Sequence, residues 1–182
     1  MSGIDDPNEQ IDLVRLSSVI GNKDLYLNYV ALPAWTSLDF DIEFEESPVL
    51  LVKRWQPLDA FSVIHDDLLP MYLTLKYLCH NDIEKCLESY IIAFQDNVKA
   101  ELYEDIFENI LYLQSKNFNE KQILCFKSLT VGLESESVWY NHGFDGVNSP
   151  VHNLNFRPFL IEEFRRFVLD RLKIGKYYNV KM

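Results

Sequence analysis

Residues 54–70 read Arg-Trp-Gln-Pro-Leu-Asp-Ala-Phe-Ser-Val-Ile-His-Asp-Asp-Leu-Leu-Pro, and the reading of this stretch decides the fold. The apolar run Val49-Leu50-Leu51-Val52 leads into it. Leu68, Leu69, Tyr72, Leu73, Leu75 and Lys76 leave it at helical spacing. A short run without a polar residue suits a buried strand, and the pattern after it suits a helix. The stretch is therefore a strand-to-helix corner, the place where ligands bind in open α/β sheets. His65, Asp66 and Asp67 bring three ionisable groups to that corner. Asp66 or Asp67 is expected to cap the helix 68–78 and complement its positive end, with Pro70 tolerated in the first turn.

Working outward, residues 39–46 alternate acidic and apolar side chains, which predicts a half-exposed edge strand ended by Pro48. Residues 90–94 read as a second buried strand and 100–107 as a helix. Residues 110–113 read as a third short strand or that helix's tail, and 121–131 as one or two strands. Residues 134–152 form a long loop rich in Gly, Asn and Ser. Phe159, Leu160, Phe164, Phe167, Val168 and Leu172 recur at helical spacing and predict a helix over 158–172. Residues 49–53, 89–94 and 123–131 are expected in one mainly parallel sheet with helices on both faces, a three-layer α/β architecture. Residues 1–10 read as a loose leader, and 13–29 carry no firm period. The expected organisation is an N-terminal leader and edge segment over 1–46, then one α/β unit over 47–182.

The 182 residues are 48% hydrophobic, enough for one domain with a proper core. A formal net charge of −11 argues against nucleic acid and anionic lipid as main partners. No apolar run approaches the ~20 residues that span a bilayer, and the polar, acidic N-terminus reads as neither signal nor anchor. The six glycines are scattered and form no phosphate-binding loop. Cys79, Cys86 and Cys125 contain no CxxC, and no His/Cys spacing resembles a zinc site, so no metal is expected. Cys79 and Cys125 sit among apolar residues and are expected to be free buried thiols. One disulfide with a leftover thiol is the alternative for a lumenal chain.

Lys53-Arg54 with His65-Asp66-Asp67-Leu68-Leu69-Pro70 resembles the catalytic region of glycosyltransferase family 61. A second block agrees, with Leu124-Cys125-Phe126, Val131-Gly132-Leu133, Trp139-Tyr140 and Gly143-Phe144. The helical stretch from Phe159 to Leu172 is a third. The resemblance runs over residues 47–175. It implies the acceptor-side, Rossmann-like half of a GT-B-type enzyme, ending in a linking helix and without the donor half. The implied reaction is inverting transfer of GlcNAc from UDP-GlcNAc to protein O-linked mannose, without a redox cofactor. The implied partner is an O-mannosylated glycoprotein in the endoplasmic reticulum lumen. A complete chain without signal or anchor would instead be cytoplasmic, and self-association stays open.

Such a transfer needs a base for the acceptor hydroxyl and cations or dipoles for the departing diphosphate. The resemblance assigns catalysis to Asp66 and His65, and substrate binding to Arg54, Asp67, Trp139, Tyr140 and Phe144. Arg54 suits phosphate, and aromatic faces stack on sugar rings. From the residues alone, the aspartates equally suit helix caps, the aromatic loop equally suits a plug on its own core, and Arg54 equally suits a buried ion pair with Asp59, Asp66 or Asp67. The family pattern Asn-x-x-His-x-x-x-Asp falls here on Asp59, Ser62 and Asp66. Serine does not titrate near neutrality, so the alternative is an inactive glycan- or protein-binding domain that keeps the fold. An unrelated cytosolic interaction domain is a third reading.

Overall fold

The computed structural model describes residues 10–14, 16–17, 25–28, 40–113, 122–133, 140–142, 148–150 and 158–174. Its centre is four parallel strands in the order β6-β5-β4-β8. These are β4 (Val49–Val52), β5 (Ile91–Phe94), β6 (Ile110–Tyr112) and β8 (Leu129–Val131). Every residue of β4 is buried because this strand has a neighbour on each edge and side chains packed on each face. Mixed α/β with parallel pairing is as the alternation of apolar runs and helical periods predicts.

Two further parallel strands, β3 (Asp41–Glu45) and β7 (Gln122–Phe126), pair with each other outside that sheet. They continue it nonetheless. Glu45 faces Phe126 and Val49 faces Leu129, so the link on the first strand is one residue longer than on the second. Lys127 donates to the Glu45 carbonyl at 3.0 Å and Val49 to the Ser128 carbonyl at 2.9 Å across the break. The expected sheet membership of 123–131 therefore holds for β8, while β7 extends as a ribbon with β3. An unequal link bends a strand pair in this way. The expected edge strand at 39–46 is β3. It lies in the stretch expected as leader and edge, and β7 ties it to the rest.

Pleating sorts the core into two faces. Leu50, Val52, Ile92, Phe94 and Tyr112 meet side chains of all the larger helices. Val49, Leu51 and Ala93 meet Leu16, Phe126 and Val131 on the other face. Among the described residues the helices cover the first face alone, so the expected third layer of helices is not found there.

The corner after β4 holds one long helical run. It comprises α1 (Ala60–Ser62), a π-helical segment (Val63–Leu68) and α2 (Leu69–Leu78). Two sequence-based expectations are corrected here. The helix starts eight residues before Leu68, at Ala60, and its cap is Asp59, whose Oδ2 accepts from Ser62 N at 2.8 Å. Asp66 and Asp67 lie inside the run and cap nothing. The wide turn has a physical cause in Pro70, which offers no N–H to the preceding turn and would crowd the carbonyl four residues back. Widening also lets every residue from Asp66 to Tyr72 be buried.

The helix α3 (Ile83–Ser89) follows a turn in which His80 and Asn81 take positive φ, at 51° and 72°. The helix α4 (Glu101–Ile106) joins β5 to β6, which settles residues 110–112 as strand. The predicted C-terminal helix is α5 (Pro158–Arg171). It docks through Phe164 and Phe167 on Tyr72, with ring centroids 5.5 and 4.9 Å apart. Lys76 pairs with Glu163, and Arg171 donates to the Ile106 carbonyl at 3.1 Å and to Glu108 at 2.9 Å.

Where no period was read, β1 (Gln10–Val14) and β2 (Leu25–Asn28) form an antiparallel pair. The expected long loop contains a second such pair, β9 (Tyr140–His142) with β10 (Asn148–Pro150). The expected leader at 1–10 lies almost entirely outside the described residues. Among the described residues no helix is long and apolar enough to cross a membrane.

Cys79 and Cys86 form a disulfide across the α2–α3 turn, with Cα atoms 5.8 Å apart. This replaces the expectation of free thiols. Helix α2 ends and α3 begins so close together that the two sulfurs meet. Cys125 remains a free, half-buried thiol. Thiol titration of the unfolded chain should give one reactive group before reduction and three after. Cys86→Ser should cost about 2 kcal/mol in denaturant unfolding, as expected for closing so short a loop. Three thiols before reduction would contradict the disulfide.

Candidate functional site

The sheet order makes the chain wind from β4 to one side through β5 and β6, then return to the other side as β8. The direction reverses between β4 and β8. In such sheets the crevice at the carboxyl ends of the switching strands is the ligand position. Gly132 ends β8 at φ 90°, where a side chain would be strained, and donates to the Leu51 carbonyl at 3.0 Å.

At this edge β4 and β5 deliver a charge pair. Val52 pairs with Phe94, so Arg54 and Asp96, each two residues further on, meet across the strands. Arg54 Nε donates to Asp96 Oδ2 at 3.0 Å, while Nη2 donates to Asp96 Oδ1 and to the Val98 carbonyl. The guanidinium lies 4.1 Å from the Phe94 ring centroid, 4.7 Å from Tyr103 and 5.5 Å from Tyr112. The Arg54 side chain is wholly buried. A planar, weakly hydrated cation between rings and a two-pronged carboxylate is arginine's favoured buried setting.

Asp67 is also buried. Its Oδ1 accepts from Trp55 N at 3.2 Å and its Oδ2 from the Tyr103 hydroxyl at 2.5 Å. One carboxyl thus ties the exit of β4 to α4. Burial pushes it up to about 7, and the neighbouring Asp66 adds to the rise. Hydrogen bonds from Tyr103 and Trp55, and the Arg54 charge, pull it back. Burial, with Asp67 beside it, drives the Tyr103 phenol upward, so it keeps its proton and stays a donor. The Arg54 guanidinium already neutralises Asp96, while Asp67 lies buried within its reach and the buried Asp66 carboxyl lies beside Asp67. A proton on Asp67 relieves that excess.

The remaining expected residues divide by exposure. Asp66 and Ser62 are buried. His65 is half-buried and its imidazole centroid lies 3.9 Å from the Phe61 ring, tilted by 43°. Phe61 itself is 48% exposed. Hydrogen bonds from Ser62 hold the exposed Asp59 carboxyl below the usual range. The structure brings Arg54, Asp67 and Asp66 together under the corner and leaves His65 at its surface. Arg54 takes the buried ion pair that was weighed for it, with Asp96 in place of Asp59, Asp66 or Asp67. Trp139 and Phe144 lie outside the described residues, and Tyr140 is described only as backbone in β9. Among the described residues no cluster of three metal-ligating side chains occurs. Sequence reading missed Asp96 and Tyr103, although the strand register carried the signal for Asp96.

With this geometry in view, the comparisons can be read. This chain is similar to enzymes that modify protein O-linked mannose. It is 28% identical over 173 residues to protein O-linked-mannose beta-1,4-N-acetylglucosaminyltransferase 2 of Xenopus tropicalis, covering 92% of this chain and 29% of that one. The proteins of the same name from Gallus gallus and Danio rerio are each 29% identical, over 90% of this chain and 28% of theirs. The chain therefore spans less than a third of the length of the curated relatives it matches. No family model matches it.

The buried carboxyl has a pH consequence with a definite sign. Asp67 binds its proton more tightly in the folded state than in the unfolded chain, where carboxyls titrate near 3.8. Its contribution to stability is therefore full below about pH 4 and is lost as pH rises through about 7, with a slope of at most about 1.4 kcal/mol per unit. Asp67→Asn keeps an acceptor for Trp55 and removes the titration. Denaturant unfolding from pH 5 to 8 should show a downward slope that is smaller in this variant. Equal slopes would place the bound proton elsewhere.

Proposed function

We propose that this chain forms the acceptor-side half of a glycosyltransferase that moves GlcNAc from UDP-GlcNAc to protein-linked mannose. The observation that supports the reading most is the similarity to O-mannose GlcNAc transferases over 90% or more of this chain, and the His65–Pro70 stretch that resembles the family lies at the corner following a switch-point strand. The π segment at that stretch adds weight, because such wide turns are rare and gather at functional sites.

Within this reading the roles follow exposure. His65 is the half-exposed titratable group at the corner, so it is the proposed base for the acceptor hydroxyl. Asp66, Asp67 and Arg54 lie beneath and position the corner. Donor binding falls mainly to a second half with GT-B geometry, and no phosphate loop occurs in this sequence. The disulfide suits an oxidising compartment, which supports the lumen of the endoplasmic reticulum as the location.

A second reading, a glycan- or protein-binding domain without catalysis, is favoured by one feature. Ser62, on the family's histidine position, is buried in α1 and cannot serve as a base.

A chimera separates the two readings. This chain replaces the matching stretch of the Xenopus tropicalis relative, and transfer from radiolabelled UDP-GlcNAc to an O-mannosyl peptide is counted. Transfer is expected, with a loss of at least a hundredfold in His65→Ala, the usual contribution of a positioned acid or base. A folded chimera that binds the peptide without transfer would support the binding domain. By itself, this chain should give no calorimetric heat with millimolar UDP-GlcNAc, and a micromolar Kd would relocate the donor site.

A further inference from the structure

Helix α5 carries more apolar surface than its docking on the core uses. Going round the helix, Phe167, Phe164, Val168, Ile161 and Leu169 follow one another and span roughly 200°. A helix laid on one core needs a stripe of little more than about 100°. Phe164 and Phe167 meet Tyr72, and Val168 packs on the same cluster. Ile161 and Leu169 belong to neither core cluster, and nor does Ile64 on the facing π-helical segment. These three instead border a groove of about 250 Å³ between the corner run and α5. The buried Leu69 and Phe164 form its floor, and Ile64 stands at its rim, 37% exposed.

Among the described residues one charged side chain lines this groove, Arg165. Its Nε and Nη2 donate to Glu162 at 2.8 Å, and Arg166 Nε donates to the same carboxylate at 2.9 Å. One carboxylate thus serves two guanidiniums, and a positive charge is left over at the groove's edge. Arg165 Nη1 and both terminal nitrogens of Arg166 have no partner among the described residues, and the two side chains are 57% and 71% exposed. Glu163 is taken by Lys76, and Asp170 lies round the helix on the side opposite Ile161. At physiological salt, charges beyond about 8 Å are largely screened. The arginines, and not the net charge of −11, therefore set the field over the groove.

Apolar walls with guanidinium donors at one edge define the occupant by its chemistry. The cavity is below the roughly 300–1,000 Å³ of small-molecule pockets, and suits one bulky side chain. Grooves between helices take amphipathic segments through such anchors, and arginine is enriched where the partner's polar groups meet the rim. A second copy paired by a two-fold axis would set this patch against itself, with arginines facing arginines. We infer that the groove between the corner run and α5 is a docking site for a short acidic segment of another protein, with a bulky apolar side chain in the cavity and its carboxylates on Arg165 and Arg166. The inference does not depend on the glycosyltransferase reading.

The test uses the 182-residue chain and fluorescence anisotropy. The probe is a fluorescein-labelled peptide with one phenylalanine among glutamates. Its controls carry lysines for the glutamates, or alanine for the phenylalanine. The wild type should bind the probe, and each control about tenfold more weakly or less. Arg165→Gln should weaken the probe by about tenfold. Arg165→Glu combined with Arg166→Glu should reverse the preference, so that the lysine peptide binds better than the probe. That gain of binding cannot come from a misfolded chain. Ile161→Ala should weaken the probe and leave the alanine control unchanged. Failure of the wild type to bind the probe, or equal binding of probe and lysine peptide, overturns the inference. So does concentration-dependent sedimentation of the wild type that Arg165→Gln abolishes, because the groove would then be filled by a second copy.

Discussion

The corner of this protein depends on one buried ion pair. Arg54 leaves β4 and Asp96 leaves β5, and their fork-to-fork contact closes the carboxyl edge of the two central strands. A guanidinium out of water is tolerated only when its donors are met and its faces covered. Asp96 and the Val98 carbonyl accept from Nε and Nη2, and the rings of Phe94, Tyr103 and Tyr112 cover the faces. Tyr103 then serves twice, because its ring covers Arg54 while its hydroxyl donates to Asp67. Through Asp67 the same cluster takes the Trp55 amide, and so it sets where the chain leaves β4 and where the helical run stands.

That arrangement divides the His65-Asp66-Asp67 motif by depth. The wide π turn directs Asp66 and Asp67 inward and keeps His65 at the surface, against Phe61. Two neighbouring carboxyls in the interior are an expensive placement for ornament. Asp67 holds the corner through Trp55 and Tyr103, which is what a surface residue needs if it is to meet a substrate in one geometry. The switch-point topology directs attention to this edge.

Much of this was legible in the sequence. The run Val49–Val52 has no polar residue and can only be buried, and the spacing of Phe164, Phe167 and Leu172 can only be a helix laid on a core. The corner was found because an apolar strand, ionisable residues and a helical period follow one another without interruption. Other features were hidden for physical reasons. The helix start at Ala60 was obscured because Pro57 and Pro70 bracket it and polar Ser62 and Asp66 share its inward positions with Val63. The Arg54 partner depended on strand register, which brings Asp96 opposite from 42 residues away. The Cys79–Cys86 bond depended on a turn through two residues with positive φ, where periodicity says nothing. The split between β7 and β8 depended on a one-residue difference in link length between two distant strands.

A double-mutant cycle on Arg54 and Asp96 tests the central claim most directly. Arg54→Met keeps the bulk under the three rings and strands the Asp96 carboxylate, and Asp96→Asn leaves the guanidinium buried with a weaker partner. Denaturant unfolding should show a loss on the order of 3 kcal/mol for Arg54→Met. The double variant should fall short of the sum of the singles by about 1 kcal/mol or more, the signature of a direct pair. Additive losses, or an Arg54→Met chain as stable as the wild type, would contradict the account and show that the corner stands without this ion pair.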